Sequence, residues 1–87
     1  MPNSNSEMIK KLQTALNLKG AQILYNTKQF YSKEQNRPIT VYKIKKAVWD
    51  EEKEKMQYIN LFESCSQIQV VLYLKEMWEE INGKNNN

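Results

Sequence analysis

The chain has no histidine and only one cysteine, Cys65. Without histidine it lacks the commonest general base and the commonest metal ligand of proteins. One thiol cannot close an internal disulfide, and with no imidazole beside it cannot found a metal site. Cys65 also has no partner to activate it as a nucleophile, so it is read as a structural residue. Glycine and proline occur twice each, too few for a flexible linker. With Gly20 and Gly83 as the only glycines, a glycine-rich phosphate loop cannot be built. The longest apolar run, residues 70–74, is far shorter than the ~20 residues of a membrane span. Residues 1–6 lack the basic and apolar regions of a signal peptide. These absences predict a cytoplasmic protein in a reducing setting, with no membrane contact, no cofactor and no metal.

What is present is enough for one domain and one core. The chain has 87 residues and is 40% hydrophobic, which is foldable rather than disordered composition. A domain this small buries only about 60% of its unfolded surface. Its stability should therefore be modest, roughly 4–10 kcal/mol.

The net charge of +3 conceals an asymmetry. Residues 8–49 hold nine Lys/Arg against Glu34 alone, whereas residues 50–83 hold three Lys against eight acids. Such a split points to contact with nucleic acid or another acidic partner, unless folding brings the two halves together and cancels it.

Periodicity divides the chain into five elements. Met8, Ile9, Leu12, Ala15 and Leu16 form one helical stripe over residues 6–18. Ser4 and Glu7 have capping-box spacing ahead of it, and Gly20 suits its left-handed stop. Three strand-like runs follow, at 21–32, 39–49 and 56–63. The first has Ile23, Tyr25, Thr27 and Tyr31 on one face. Residues 32–38 make a hairpin loop, and residues 50–55 a charged turn. In the second run the alternation slips: Ile39 and Val41 share one phase, and Tyr42, Ile44 and Val48 the other. That predicts a bulge near Lys43 or a strand apolar on both faces. In the third run Tyr58 and Phe62 fall on one face, Ile59 and Leu61 on the other. Ser66 and Gln69 open the last helix as a capping box. Val70, Val71, Met77, Trp78 and Ile81 lie within about 60° of Leu74 around its axis, at ~100° per residue. Gly83 is its expected end. The predicted fold is α+β: α-β-β-β-α, a three-stranded antiparallel meander with both helices on one face. The domain should span residues 6–83, between disordered tails at 1–5 and 84–87.

Catalysis finds little support. Asp50, Glu51, Glu52 and Glu54 could in principle ligate Mg²⁺, but carboxylates consecutive in a turn splay outward instead of converging. The chain is therefore expected to be a non-enzymatic binding or regulatory module.

Two surfaces could do the binding. Lys28, Arg37, Lys43, Lys45 and Lys46 lie in or beside the first two strands, interleaved with Tyr25, Phe30, Tyr31, Tyr42 and Trp49. Cations neutralise phosphates and aromatic faces stack on unpaired bases, so this hairpin is the candidate DNA or RNA site, with Tyr31 and Tyr42 as the stacking rings. The alternative is a protein partner or a homodimer. It would use the open sheet face through Tyr58 and Phe62, and the side of the last helix that carries Ile68 and Leu72.

Overall fold

The computed structural model describes residues 4–85. Its elements run α1 (Ser4–Leu18), β1 (Ile23–Ser32), β2 (Arg37–Asp50), β3 (Lys55–Ser64) and α2 (Gln67–Asn85). The strands form one antiparallel sheet in the order β1-β2-β3. The predicted α+β meander is therefore the observed fold.

Both helices lie on one face of the sheet because their apolar stripes meet the same side chains. Ile9 and Leu16 of α1, and Val70, Val71 and Leu74 of α2, pack with Ile23 and Ile44 in one buried cluster. Tyr25, Tyr42 and Phe62 close it from the sheet side, and Met77, Trp78 and Ile81 from α2. This is the stripe that helical periodicity marked out.

The helix ends differ from the sequence reading in part. At the C-terminus of α1, Gly20 takes φ +91°. The Ala21 N–H donates to the Leu16 carbonyl (3.1 Å) and the Gly20 N–H to the Asn17 carbonyl (3.0 Å), which is the paired bonding of a Schellman stop. Asn17 then clamps the next strand. Its amide donates to the Ile23 carbonyl (2.9 Å) and its oxygen accepts the Ile23 N–H (2.7 Å). At the other end α1 already includes Ser4 and Asn5, so the expected tail at 1–5 is too long, and residues 1–3 lie outside the described part. Glu7 falls in the first turn, where the helix dipole favours an acid, and Ser4 stands inside the helix and not ahead of it. Ser66 does hold the position before α2, its carbonyl accepting the Gln69 N–H at 3.2 Å. Gly83 does not end α2, which runs to Asn85. The expected tail at 84–87 thus loses its first two residues to the helix, and 86–87 lie outside the described part. A glycine inside a helix costs about 1 kcal/mol, and the packed turns up to Ile81 carry the helix past it.

Strand register sets the shape. β1 pairs with β2 from Ile23 opposite Lys46 to Ser32 opposite Arg37. β3 pairs with β2 only from Tyr42 opposite Ser64 to Asp50 opposite Lys55. The sheet is three strands wide only around residues 42–46 of β2. Beyond that centre a two-stranded hairpin projects at each end, β1 with β2 one way and β2 with β3 the other. The molecule is accordingly a plate of 48 × 37 × 20 Å with a radius of gyration of 15.1 Å. A compact domain of this length has a radius near 12 Å.

The register shift falls between Ile44 and Lys45 of β2 and their β3 partners, Phe62 and Asn60. The extra residue is Leu61, so a bulge does lie beside Lys43, but in β3 and not in β2. β2 itself is regular and apolar on both faces. Among the described residues, no helix is long and apolar enough to cross a membrane.

Candidate nucleic-acid interface

Alternation assigns each side chain to a face once Ile44 is fixed against the helices. Even-numbered residues of β2 face the helices, and odd-numbered residues face away. Following the pairings across the sheet, the uncovered face has a definite order along its length. It starts at Arg37 and reaches Phe30 beside Ile39. Lys28 beside Val41 comes next, then Lys43 between Asn26 and Glu63, then Lys45 between Leu24 and Asn60. It ends at Tyr58 beside Ala47 and at Trp49 beside Met56. Three lysines therefore lie between two aromatic stations.

The rings are accessible. Trp49 is 58% exposed, Tyr58 56% and Phe30 46%. Lys28 and Arg37 are exposed, whereas Lys43 and Lys45 are half-buried along the strand. Lys43 Nζ lies 3.5 Å from Glu63 Oε1 across the β2–β3 pair, the one ion pair among the described residues. Both partners reach solvent, so the pair holds Lys43 in place with at most about 1 kcal/mol. Arg37 is steadied by the Gln35 side-chain oxygen, which accepts from its Nε at 3.0 Å and its Nη2 at 2.9 Å. None of the α2 acids pairs with these cations. With Glu63 as its one acid, this face carries a net charge of +3.

Several expected site residues fall elsewhere. Lys46 has the opposite parity from Lys43 and Lys45, and lies on the helix side of the sheet. Tyr42 also faces the helices. It lies parallel to Tyr25, with ring centroids 6.4 Å apart, and packs on the core, so it cannot stack on a base. Burial pushes the Tyr25 hydroxyl pKa above its ordinary value of 10.0; a hydrogen bond with Gln67 opposes the rise and Tyr42 adds to it. Tyr31 is exposed but is on the helix-side face of its hairpin, and its hydroxyl donates to Asn36. Phe62 is not an open-face residue, because the Leu61 bulge turns it toward the helices. There it stacks on Tyr73 at 4.5 Å. Tyr58 does face outward, as do Ile68 and Leu72 on α2. Cys65, read as structural, is exposed.

Phe30 and Trp49 are the rings that sequence reasoning did not select. Strand parity marks both without any knowledge of register: Trp49 is in phase with Lys43 and Lys45, and Phe30 with Lys28.

No acid-base constellation accompanies this face. The Asp50 carboxylate is engaged in its own turn, accepting the N–H groups of Glu52 (3.0 Å) and Lys53 (3.3 Å). A shallow hollow of about 360 Å³ along α1 is lined by Lys10, Lys11, Thr14, Ala15 and Leu18, with no carboxylate to work against its lysines. Comparison of the chain with protein-family models, with curated proteins and with solved structures returns no match.

Proposed function

We propose that the chain is a small non-enzymatic module that binds nucleic acid on the uncovered face of its sheet. One observation carries the reading. Lys28, Arg37, Lys43 and Lys45 emerge on the same open face as Phe30, Tyr58 and Trp49. Cations alone would be an ordinary solvated surface, and rings alone would fit a protein partner. Their coincidence fits a polymer with phosphates and flat bases.

Charge also argues against a second copy on this face. A two-fold axis through its middle would set Lys43 and Lys45 of one chain against the same lysines of the other, and like charges in direct opposition destabilise. A polyanion has no such conflict.

The test is salt. Four phosphate contacts give a slope of log affinity against log salt of about −3, hence a loss of roughly sixty-fold between about 50 and 200 mM. An affinity for a mixed-sequence oligonucleotide that is flat across that range sinks the electrostatic reading.

A second reading concerns a separate surface. Ile68 is 46% exposed and Leu72 51%, one turn apart on the outer side of α2. An exposed apolar pair on a plate with so small a core favours self-association or a protein partner there. A light-scattering mass of one chain at high concentration argues against the homodimer.

A further inference from the structure

We infer that the nucleic acid bound by this face is a single, unpaired strand that runs along β2, with its bases stacked at the two aromatic stations and its backbone over the lysines between them. The inference rests on the nucleic-acid reading and adds to it the class of ligand.

The argument starts from the order of side chains. Ile39, beside Phe30, and Ala47, beside Tyr58, are eight residues apart on β2, or about 26 Å at ~3.3 Å per residue. Lys28, Lys43 and Lys45 lie inside that interval. A stacked strand that rises ~3.4 Å per nucleotide would place about eight nucleotides across it, and a stretched strand fewer. Either length lies within the ~4–16 nucleotides of OB-type single-strand sites.

A duplex fits this order poorly. Its base faces are buried in its own stack and cannot meet Phe30, Tyr58 or Trp49. A single strand leaves its base faces free to meet those rings. It can turn its last bases onto Trp49 and Tyr58 while its phosphates remain over Lys43 and Lys45. The acidic loop that follows Trp49 then marks the end of the path and repels any phosphate beyond it.

The test uses the full chain and three labelled probes of about twelve units: oligo(dT), oligo(U) and a blunt DNA duplex. Tightest binding by either single strand supports the inference, and the pair tells DNA from RNA. Trp49→Leu, Tyr58→Leu and Phe30→Leu keep apolar bulk on the sheet. Each should weaken single-strand binding about ten-fold while leaving the salt slope unchanged. Lys45→Gln should instead reduce the slope by about 0.7. If a leucine variant fails to fold, tryptophan emission of the wild-type chain replaces it, the exposed Trp49 and the half-buried Trp78 both contributing: oligo(dT) should quench the exposed Trp49 share and the duplex should not. Equal or tighter binding of the duplex, with ring variants indistinguishable from wild type, overturns the single-strand inference and leaves the nucleic-acid reading standing. No binding of any probe at about 50 mM salt overturns both.

Discussion

The hairpin of β1 and β2 and the hairpin of β2 and β3 share a construction and differ in charge. Each closes through a four-residue loop, 33–36 and 51–54, whose last residue is left-handed: Asn36 at φ 54° and Glu54 at φ 52°. Each loop is tied by an oxygen of the residue before it. Ser32 Oγ accepts the Gln35 N–H, and Asp50 Oδ1 those of Glu52 and Lys53. Each hairpin projects beyond the helices with aromatic side chains on the uncovered face. Yet residues 28–41 carry three cations against Glu34, and residues 47–58 carry four acids against two lysines. Loop shape needs Ser32, Asp50 and the left-handed residue, but not Lys33, Glu51 or Glu52. The charge of those positions is therefore free to serve binding, and it gives the plate an electrical direction along its long axis.

The largest expected effect comes from removing what the two hairpins share. Both extend from the three-stranded centre, where Ile44 is fully buried between sheet and helices. Ile44→Ala should cost about 2–5 kcal/mol, a large part of the roughly 4–10 kcal/mol available to a domain of this size. In a Trp78→Phe background, which leaves Trp49 as the single tryptophan, urea denaturation followed by Trp49 emission and by far-UV circular dichroism should show both signals moving together to lower urea. If the acidic hairpin kept its own midpoint while the rest unfolded, the two hairpins would not depend on one centre.

Next in size is the charge contrast itself. Reversing the basic end with Lys28→Glu and Arg37→Glu together should lower oligonucleotide affinity about a hundred-fold at low salt. Reversing the acidic loop with Glu51→Lys and Glu52→Lys should raise it several-fold and lengthen the bound site. Titrations at two salt concentrations separate these outcomes. Equal and opposite changes from the two pairs would mean that only net charge matters, and the ordered path along β2 would be lost as an explanation.

How much of this was legible in the sequence depends on how far apart the deciding residues lie. The α2 stripe, the Gly20 stop and the phase of β1 are local patterns, and each was readable from a few neighbouring residues. The face of Tyr42 was not, because β2 is apolar on both sides and period two alone cannot choose between them. Contact between Ile44 and helices at both ends of the chain decides it, and that decision also carries Lys46 away from Lys43 and Lys45. Phe62 was misplaced for a related reason. The Leu61 bulge inverts the phase of β3 beyond it, and a bulge is a property of the β2–β3 pairing more than of either strand alone.

The smallest expected effect sharpens the comparison at the level of one backbone torsion. The two loops demand the same left-handed residue and fill the position unequally. Asparagine tolerates this region better than most residues, and Asn36 also receives the Tyr31 hydroxyl. Glutamate has no such tolerance, so Glu54 is held at φ 52° against a preference of about 1–2 kcal/mol. Glycine removes that strain but adds freedom to the unfolded chain, which returns about 0.5–1 kcal/mol. Glu54→Gly should therefore stabilise by up to about 1 kcal/mol, whereas Asn36→Gly should be neutral or slightly destabilising because it also removes the contact with Tyr31. Thermal melts of the two variants give the comparison directly. A gain at position 36 that matched or exceeded the gain at 54 would show that the acidic loop is not the more strained of the two, and that its glutamate was kept for charge at no conformational cost.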